Sequence, residues 1–276
     1  MVDLHFHSTF SDGSDTPERI AELGKERGLS AMVLTDHDST RGSVRFMEAA
    51  RGLGIRTMPG VELSIEFDVG ELHLLGYGFD MENGQLQDYL ERFRTGRTRR
   101  NEQMVGKLND LGVGISYEAI VQSAGDADVV GRAHIATAMV SGGFAKNKKE
   151  VFTQWIGSGR PAFVPRFRMT VTDALRLIVE AGGIPVMAHP HHIGFGDEKL
   201  HALLRELKPQ GLEGIEAYHS EHSDTVTARL ILLAKDLGLR VTGGTDYHGT
   251  FTPDIHIGTG FGGMRIPDTC YAWLEK

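Results

Sequence analysis

The sequence predicts an α/β protein: a closed or nearly closed barrel of about seven strands with an inserted helical subdomain. Three observations predict it. Short apolar runs alternate with helical runs, the pattern of strands joined by crossover helices. Histidines and carboxylates recur where the strand runs end, the end at which barrels gather their chemistry. From about Leu86 to Arg166 the rhythm breaks into helical segments only.

Val2–Phe6 reads as the first strand. Thr16–Arg27 reads as a helix, with Thr16 as cap, Pro17 in the first turn and Gly28 as stop. Ala31–Thr35 is a buried-type strand, Ser43–Leu53 a helix, and Ile55–Glu66 and Leu72–Phe79 two more strands. In the insertion, Leu86–Leu111 reads as one long helix or two short ones, followed by short helices at Tyr117–Ser123, Arg132–Ser141 and Lys148–Ile156. Thr170–Ala181 is a helix with Thr170 and Asp173 spaced as a capping box. Strand Ile184–Ala188, helix Glu198–Leu207, strand Gly214–Tyr218, helix Asp224–Leu237 and strand Arg240–Gly243 complete the alternation. The expected division is a barrel of 1–85 and 167–276 around a helical, substrate-binding subdomain at 86–166.

Composition narrows the function. The chain has 276 residues, ample for a core, and a net charge of -8, which excludes a general nucleic-acid-binding surface. An anionic substrate must be attracted locally. The single Cys270 cannot form an internal disulfide and reads as a structural thiol, which fits a reducing cytoplasm. No signal peptide and no membrane-spanning run is visible, so neither a membrane nor an obligate protein partner is expected.

Nine side chains form the candidate metal set: His5, His7, Asp12, His37, Glu62, His73, His189, Asp246 and His248. Imidazole and carboxylate suit Mn, Fe or Zn. Nine ligands exceed one tetrahedral ion and suffice for two or three. His5 and His7, two apart on a strand, face the same side; Asp246 and His248 repeat that spacing behind Gly243-Gly244, where the backbone can approach closely. A Glu in an apolar run, as at Glu62, is costly to bury uncompensated. Asp36 and Asp38 read either as acceptors that orient the His37 ring or as caps of the next helix. His189 is the ligand of the His189-Pro190-His191-His192 run; His191 and His192 read as loop residues near the pocket. His219 reads either as a phosphate-binding or proton-donating group or as a packed histidine. Gly131-Arg132-Ala133-His134 sits at an expected helix start, which together with Arg132 suits an anion. The run Arg92–Arg100 reads as a solvated helix face.

In order, Asp3-Leu4-His5-Phe6-His7, Thr35-Asp36-His37, Gly60-Val61-Glu62, His73, Ala188-His189-Pro190 and Thr245-Asp246-Tyr247-His248 resemble the PHP (polymerase and histidinol phosphatase) family. The resemblance implies a distorted (β/α)7 barrel with a trinuclear centre. One ion would lie on His5, His7, Glu62 and Asp246, a second on Glu62, His73 and His189, and a third on Asp12, His37 and His248, with manganese expected. The insertion and the Gly-Arg-Ala-His stretch are similar to the stand-alone nucleotide phosphoesterases of that family. This implies hydrolysis of the 3′-phosphate of nucleoside 3′,5′-bisphosphates, such as adenosine 3′,5′-bisphosphate to AMP. The expected nucleophile is a hydroxide bridging two cations beside Glu62 and Asp246. Arg132 and His134 would hold the other phosphate, and His219 or His191 would protonate the leaving group. The alternatives are 5′-to-3′ hydrolysis of short RNA, a histidinol-phosphatase-like reaction and a metal-dependent amidohydrolase.

Overall fold

The computed structural model describes residues 1–67, 72–123, 130–165 and 169–275. The chain divides into two compact units, Met1–Leu90 with Arg168–Lys276, and Glu91–Phe167. The boundary expected at 166 falls outside the described residues.

The first unit contains β1 (Val2–Asp3), α1 (Pro17–Glu26), β2 (Ala31–Met32), α2 (Ser43–Gly52), β3 (Gly60–Glu66) and β4 (His73–Tyr77). After the second unit it resumes with a short strand at Met169–Thr170, which extends the edge of β3. Strands β1 and β2 pair in parallel, and β3, β4 and the three later strands Ile184–Met187, Gly214–His219 and Arg240–Gly244 form one continuous sheet in that order. Two seams close the two pieces into a ring. Single parallel bridges, Ala31 to Arg56 and His37 to Glu62, join β2 to β3. On the other side the Leu4 N–H donates to Gly243 O (3.1 Å) and the His7 N–H to Tyr247 O (2.9 Å). Seven strands thus form a distorted barrel.

Strand β4 departs from the expected all-parallel arrangement. It runs antiparallel to β3 and to strand Ile184–Met187. A parallel connection needs a crossover of about a dozen residues or more, and the link between Glu66 and His73 is too short to make one. The strands are also shorter than the apolar runs. β3 starts at Gly60 rather than Ile55, since Pro59 has no N–H for the ladder. Gly60 is required there: a Cβ would stand 2.5 Å from Leu34 O.

Alternation along the strands builds both faces. Val2, Leu4, Ala31, Val33, Leu75 and Val186 pack into the barrel core. Met32 and Leu34 point the other way, onto Ile20 and Phe46 of the flanking helices, and Phe6, past the end of β1, joins them. Thr16 caps α1 by accepting from Arg19 N–H, as its position predicts, and Thr170 caps the helix Val171–Glu180 by accepting from Asp173 N–H. Cys270 is buried among these residues, which pushes its thiol up to about 12.

Helix α3 (Gly84–Asp110) is one continuous helix, and the second unit takes it from Glu91 onward. With it come α4 (Tyr117–Ser123), α5 (Arg132–Ser141) and α6 (Lys148–Val151), the last running into a π-turn at Phe152–Ile156. Met104, Leu108, Ile120, Ile135, Met139, Val151 and Ile156 form this unit's own core. The arginine run is not uniformly solvated. Arg92 and Arg99 are exposed, but Arg97 and Arg100 are buried, because their helical spacing aligns them with the buried stripe of Phe93 and Met104.

Among the described residues, no helix is long and apolar enough to cross a membrane.

Candidate metal centre

The barrel brings all nine candidate ligands to one end. His5 and His7 follow β1, Asp12 lies in the loop beyond, and His37 follows β2. His189 follows β5 (here Ile184–Met187, the fifth strand of the ring), while Asp246 and His248 follow the final strand, Arg240–Gly244. Two ligands break the strand-end rule. Glu62 lies within β3, and His73 opens β4. Because β4 is antiparallel, its first residue meets the C-terminal ends of its neighbours, which is how His73 reaches the same site.

The donor atoms converge in three overlapping groups. His5 Nε2 and His7 Nε2 lie 3.2 Å from Glu62 Oε2, and 3.4 and 3.0 Å from Asp246 Oδ1. The two imidazole nitrogens are 3.3 Å apart. Bonds of 2.0–2.2 Å to a tetrahedral ion imply ligand-to-ligand edges of roughly 3.3–3.6 Å, so these four side chains fit a cation. In the second group, Glu62 Oε1 lies 2.8 Å from His73 Nδ1 and 2.9 Å from His189 Nε2. The third is more open: Asp12 faces His248 Nε2 at 3.4 Å, His7 Nδ1 at 3.7 Å and His37 Nε2 at 3.8 Å. His37 presents its other nitrogen to Glu62 Oε2 at 3.1 Å.

A further observation supports the fit. Glu62 Oε2, Asp12 Oδ1, His37 Nδ1 and His189 Nδ1 are buried without a hydrogen bond among the described residues. Buried polar atoms are rarely left so. Burial favours neutral Glu62, but the imidazoles of His37, His5 and His73 outweigh it and hold the carboxyl well below the usual range. Asp246 is treated the same way by His5, His219 and His7. Burial, with His7 and His73 alongside, pushes His37 well down, and His189 is also lowered, whereas against burial the facing carboxylates raise His5, His7 and His248, protons that a bound cation would displace. A neutral imidazole and an ionised carboxylate are the forms that bind a metal.

The backbone is strained at this end. Asp246 (φ 54°), His189 (φ 23°) and Asp38 (φ 51°) are the non-glycine residues with left-handed φ among those described. Such residues cost on the order of 1–3 kcal/mol each and persist where the surroundings over-determine them. Gly244 admits the close approach expected of it: a Cβ would stand 2.1 Å from that of His5.

Several side chains differ from the sequence reading. Asp36 and Asp38 neither cap α2 nor serve as its first turn. Asp36 accepts from Ser8 and Ser11, Asp38 accepts from Ser64, and Gly42 occupies the cap position of α2. His191 is exposed, with its ring nearest that of His222 at 6.0 Å. His192 takes its place: the Pro190–Ile193 turn is 3₁₀, so with three residues per turn His192 returns over His189, ring centroids 4.3 Å apart. His192 also pairs with Glu221 at 2.5 Å. His219 is buried, and its Nδ1 accepts from Glu221 N–H while its Nε2 stands 3.5 Å from Asp246 Oδ2. The sequence reading missed Glu216, a fully buried carboxylate bonded to His5 and His189. Its signal was available, since Ile215-Glu216-Ala217 is an acid in an apolar strand, the pattern that singled out Glu62.

In the helical unit, Gly131 caps α5 as expected of a helix start. The His134 Nδ1 accepts from Gly131 N–H (3.0 Å), and the Arg132 guanidinium lies over the Phe152 ring at 5.6 Å.

The sequence profile of the PHP domain matches residues 3–156, more than half of the chain. The chain belongs to the PHP domain family. It is 32% identical to a 3′,5′-nucleoside bisphosphate phosphatase of Chromobacterium violaceum, over 90% of this chain and 87% of that one. It is 30% identical to a phosphoribosyl 1,2-cyclic phosphate 1,2-diphosphodiesterase of Eggerthella lenta, over 97% and 99%. A solved structure from Chromobacterium violaceum, named an amidohydrolase and holding sulfate without metal, matches with a TM-score of 0.85 at 30% identity, covering 99% of this chain and 95% of that one.

Proposed function

We propose that this PHP protein is a metal-dependent phosphoesterase that removes the 3′-phosphate of nucleoside 3′,5′-bisphosphates. The observation that carries the metal-dependent part is the placement of Glu62. Its Oε1 faces His73 and His189, and its Oε2 faces His5, His7 and His37. One carboxylate thus serves two ligand groups, which suits cations held close together. Divalent ions bound there, manganese by preference and iron or zinc as alternatives, supply Lewis acidity and lower the pKa of bound water from 15.7 towards about 7. Asp246 and Glu62 supply the negative charge that keeps those ions in place. His219, behind Asp246, is the candidate donor to the leaving oxygen; the exposed His191 is set aside. The relatives support phosphate chemistry, and the bisphosphate relative supports this substrate.

The proposal also assigns the second phosphate to Arg132 and His134, with 86–166 as the substrate-binding insertion. His134 Nδ1 is engaged in capping, so Arg132 carries the charge. Arg132→Ala should raise KM for the bisphosphate at least tenfold and leave turnover of a simple aryl phosphate within twofold; equal losses on both sink that assignment.

The deciding experiment measures orthophosphate release from adenosine 3′,5′-bisphosphate, AMP and histidinol phosphate, and release of mononucleotides from short 5′-phosphorylated RNA and of phosphate monoester or orthophosphate from a cyclic phosphoribosyl ester, with metal content of the same sample. Preference for the bisphosphate supports the reading. Preference for RNA or the cyclic ester moves the substrate but keeps the class. Ammonia release from amides with no phosphate release overturns it in favour of an amidohydrolase.

A further inference from the structure

Glu216 lies inside the barrel wall on strand Gly214–His219, with no exposed surface. It belongs to none of the candidate ligand groups, so ion binding by itself does not explain it. Its two oxygens are divided between ligands of different groups. The His5 Nδ1–H donates to Oε1 (3.0 Å), and the His189 backbone N–H donates to Oε2 (2.8 Å). His5 turns its Nε2 to Glu62 Oε2 and Asp246 Oδ1, and His189 turns its Nε2 to Glu62 Oε1.

Resting on the metal-centre reading above, we propose that Glu216 is a positioning residue that couples the His5 and His189 ion sites, fixing the tautomer of one ligand and the backbone of the other. Donors and acceptors decide the geometry. A ligating imidazole must offer a lone pair, and the hydrogen bond on its far nitrogen decides which nitrogen offers it. An acceptor at His5 Nδ1 leaves the lone pair on Nε2, the nitrogen that faces the cluster. At His189 the constraint is conformational. That residue sits at φ 23°, a strained state, and the bond to Glu216 is its backbone N–H anchor. A carboxylate is the side chain of this length that accepts at both oxygens. Glutamine has the same shape but one acceptor. If its oxygen keeps the His189 N–H, its NH2 faces His5 Nδ1 and forces the proton onto Nε2, where it blocks ligation. If its oxygen keeps His5, the NH2 opposes the His189 N–H.

The test loads metal-free wild type, Glu216→Gln and Glu216→Asp with Mn²⁺, and reads stoichiometry and affinity by calorimetry and elemental analysis. Circular dichroism of the metal-free proteins checks folding. Wild type should bind at least two ions; Glu216→Gln should fold and lose about 10–100-fold in affinity at two sites together. Wild-type stoichiometry and affinity in a folded Glu216→Gln overturns the inference, and so does a loss confined to one site. Wild type that binds no divalent ion overturns the metal-centre reading itself, and that result comes from the unmutated protein alone. Should the glutamine variant not fold, the histidine ¹⁵N spectrum of wild type loaded with diamagnetic Zn²⁺ decides: His5 protonated on Nδ1 supports the inference, and His5 protonated on Nε2 overturns it.

Discussion

The two ends of the ligand cluster are built differently. The inner group is closed: His5 and His7 have no exposed side-chain surface, Glu62 1% and Asp246 19%. Its nitrogen-to-oxygen distances are 3.0–3.4 Å. The outer group is looser: Asp12 is 36% exposed, although its Oδ1 is buried, and its distances run from 3.4 to 3.8 Å. The inner ligands come from barrel strands and their immediate ends, whereas Asp12 hangs on a loop. The Glu216 contact to His5 reinforces only the inner side. A cluster that looks uniform in sequence is therefore graded, from a tightly packed pocket to a looser rim. A cation held by the inner group would gain from low local dielectric, and one held by the outer group would compete with water.

The largest effect should come from the inner group. Asp246→Ala removes an anion shared with His5, His7 and His219, and should lower kcat on the order of 10³-fold or more and reduce bound metal. Near-normal turnover with full metal content would break the comparison at its root. A smaller effect is expected at the rim: Asp12→Ala should lose one ion, keep the inner ones and leave the melting temperature of the metal-free protein nearly unchanged. A timed challenge of wild type with a chelator sharpens this, because metal should leave in two phases, the rim first. Release in one phase would mean that the gradation has no energetic content.

The smallest effect concerns pH in the metal-free protein. Burial alone would lower the His7 pKa, but the hydrogen bonds and charges of Asp246 and Glu62 overrule it and raise it from 6.5 to about 10. A raised folded-state pKa contributes stability that is complete below the unfolded value and is lost as pH rises through the folded one. Denaturant midpoints of metal-free protein should therefore fall between about pH 6.5 and about pH 10, and metal loading should flatten that decline. A midpoint that rises over the same range would show that His7 is not held as a cation by these carboxylates.

Much of this was legible because it is local. Thr16 and Thr170 cap the helices their positions predict, and the apolar runs mark the strands. Short spacings such as His5-x-His7 and Asp246-x-His248 announce candidate ligands at one strand end, although both pairs lie just past their strands and Asp246 sits at φ 54°. Gly244 signals the close approach that it makes to His5. The His191 and His192 pair was ambiguous, since which of two adjacent histidines turns inward depends on the 3₁₀ turn between them and the strand.

What the chain alone determined was the inventory of candidate ligands, the alternation of elements and the break in rhythm after Leu86, each of them a property of neighbours within a few residues. Tertiary structure alone decided the reversal of β4 that lets His73 join from its opposite end, the seams that close the barrel, and the bond between His5 and Glu216, which lie 211 residues apart. The physical reason is that residue type and spacing fix what a side chain can donate or accept, but partners far along the chain are chosen by strand direction and ring closure, and those are settled by packing the whole barrel at once.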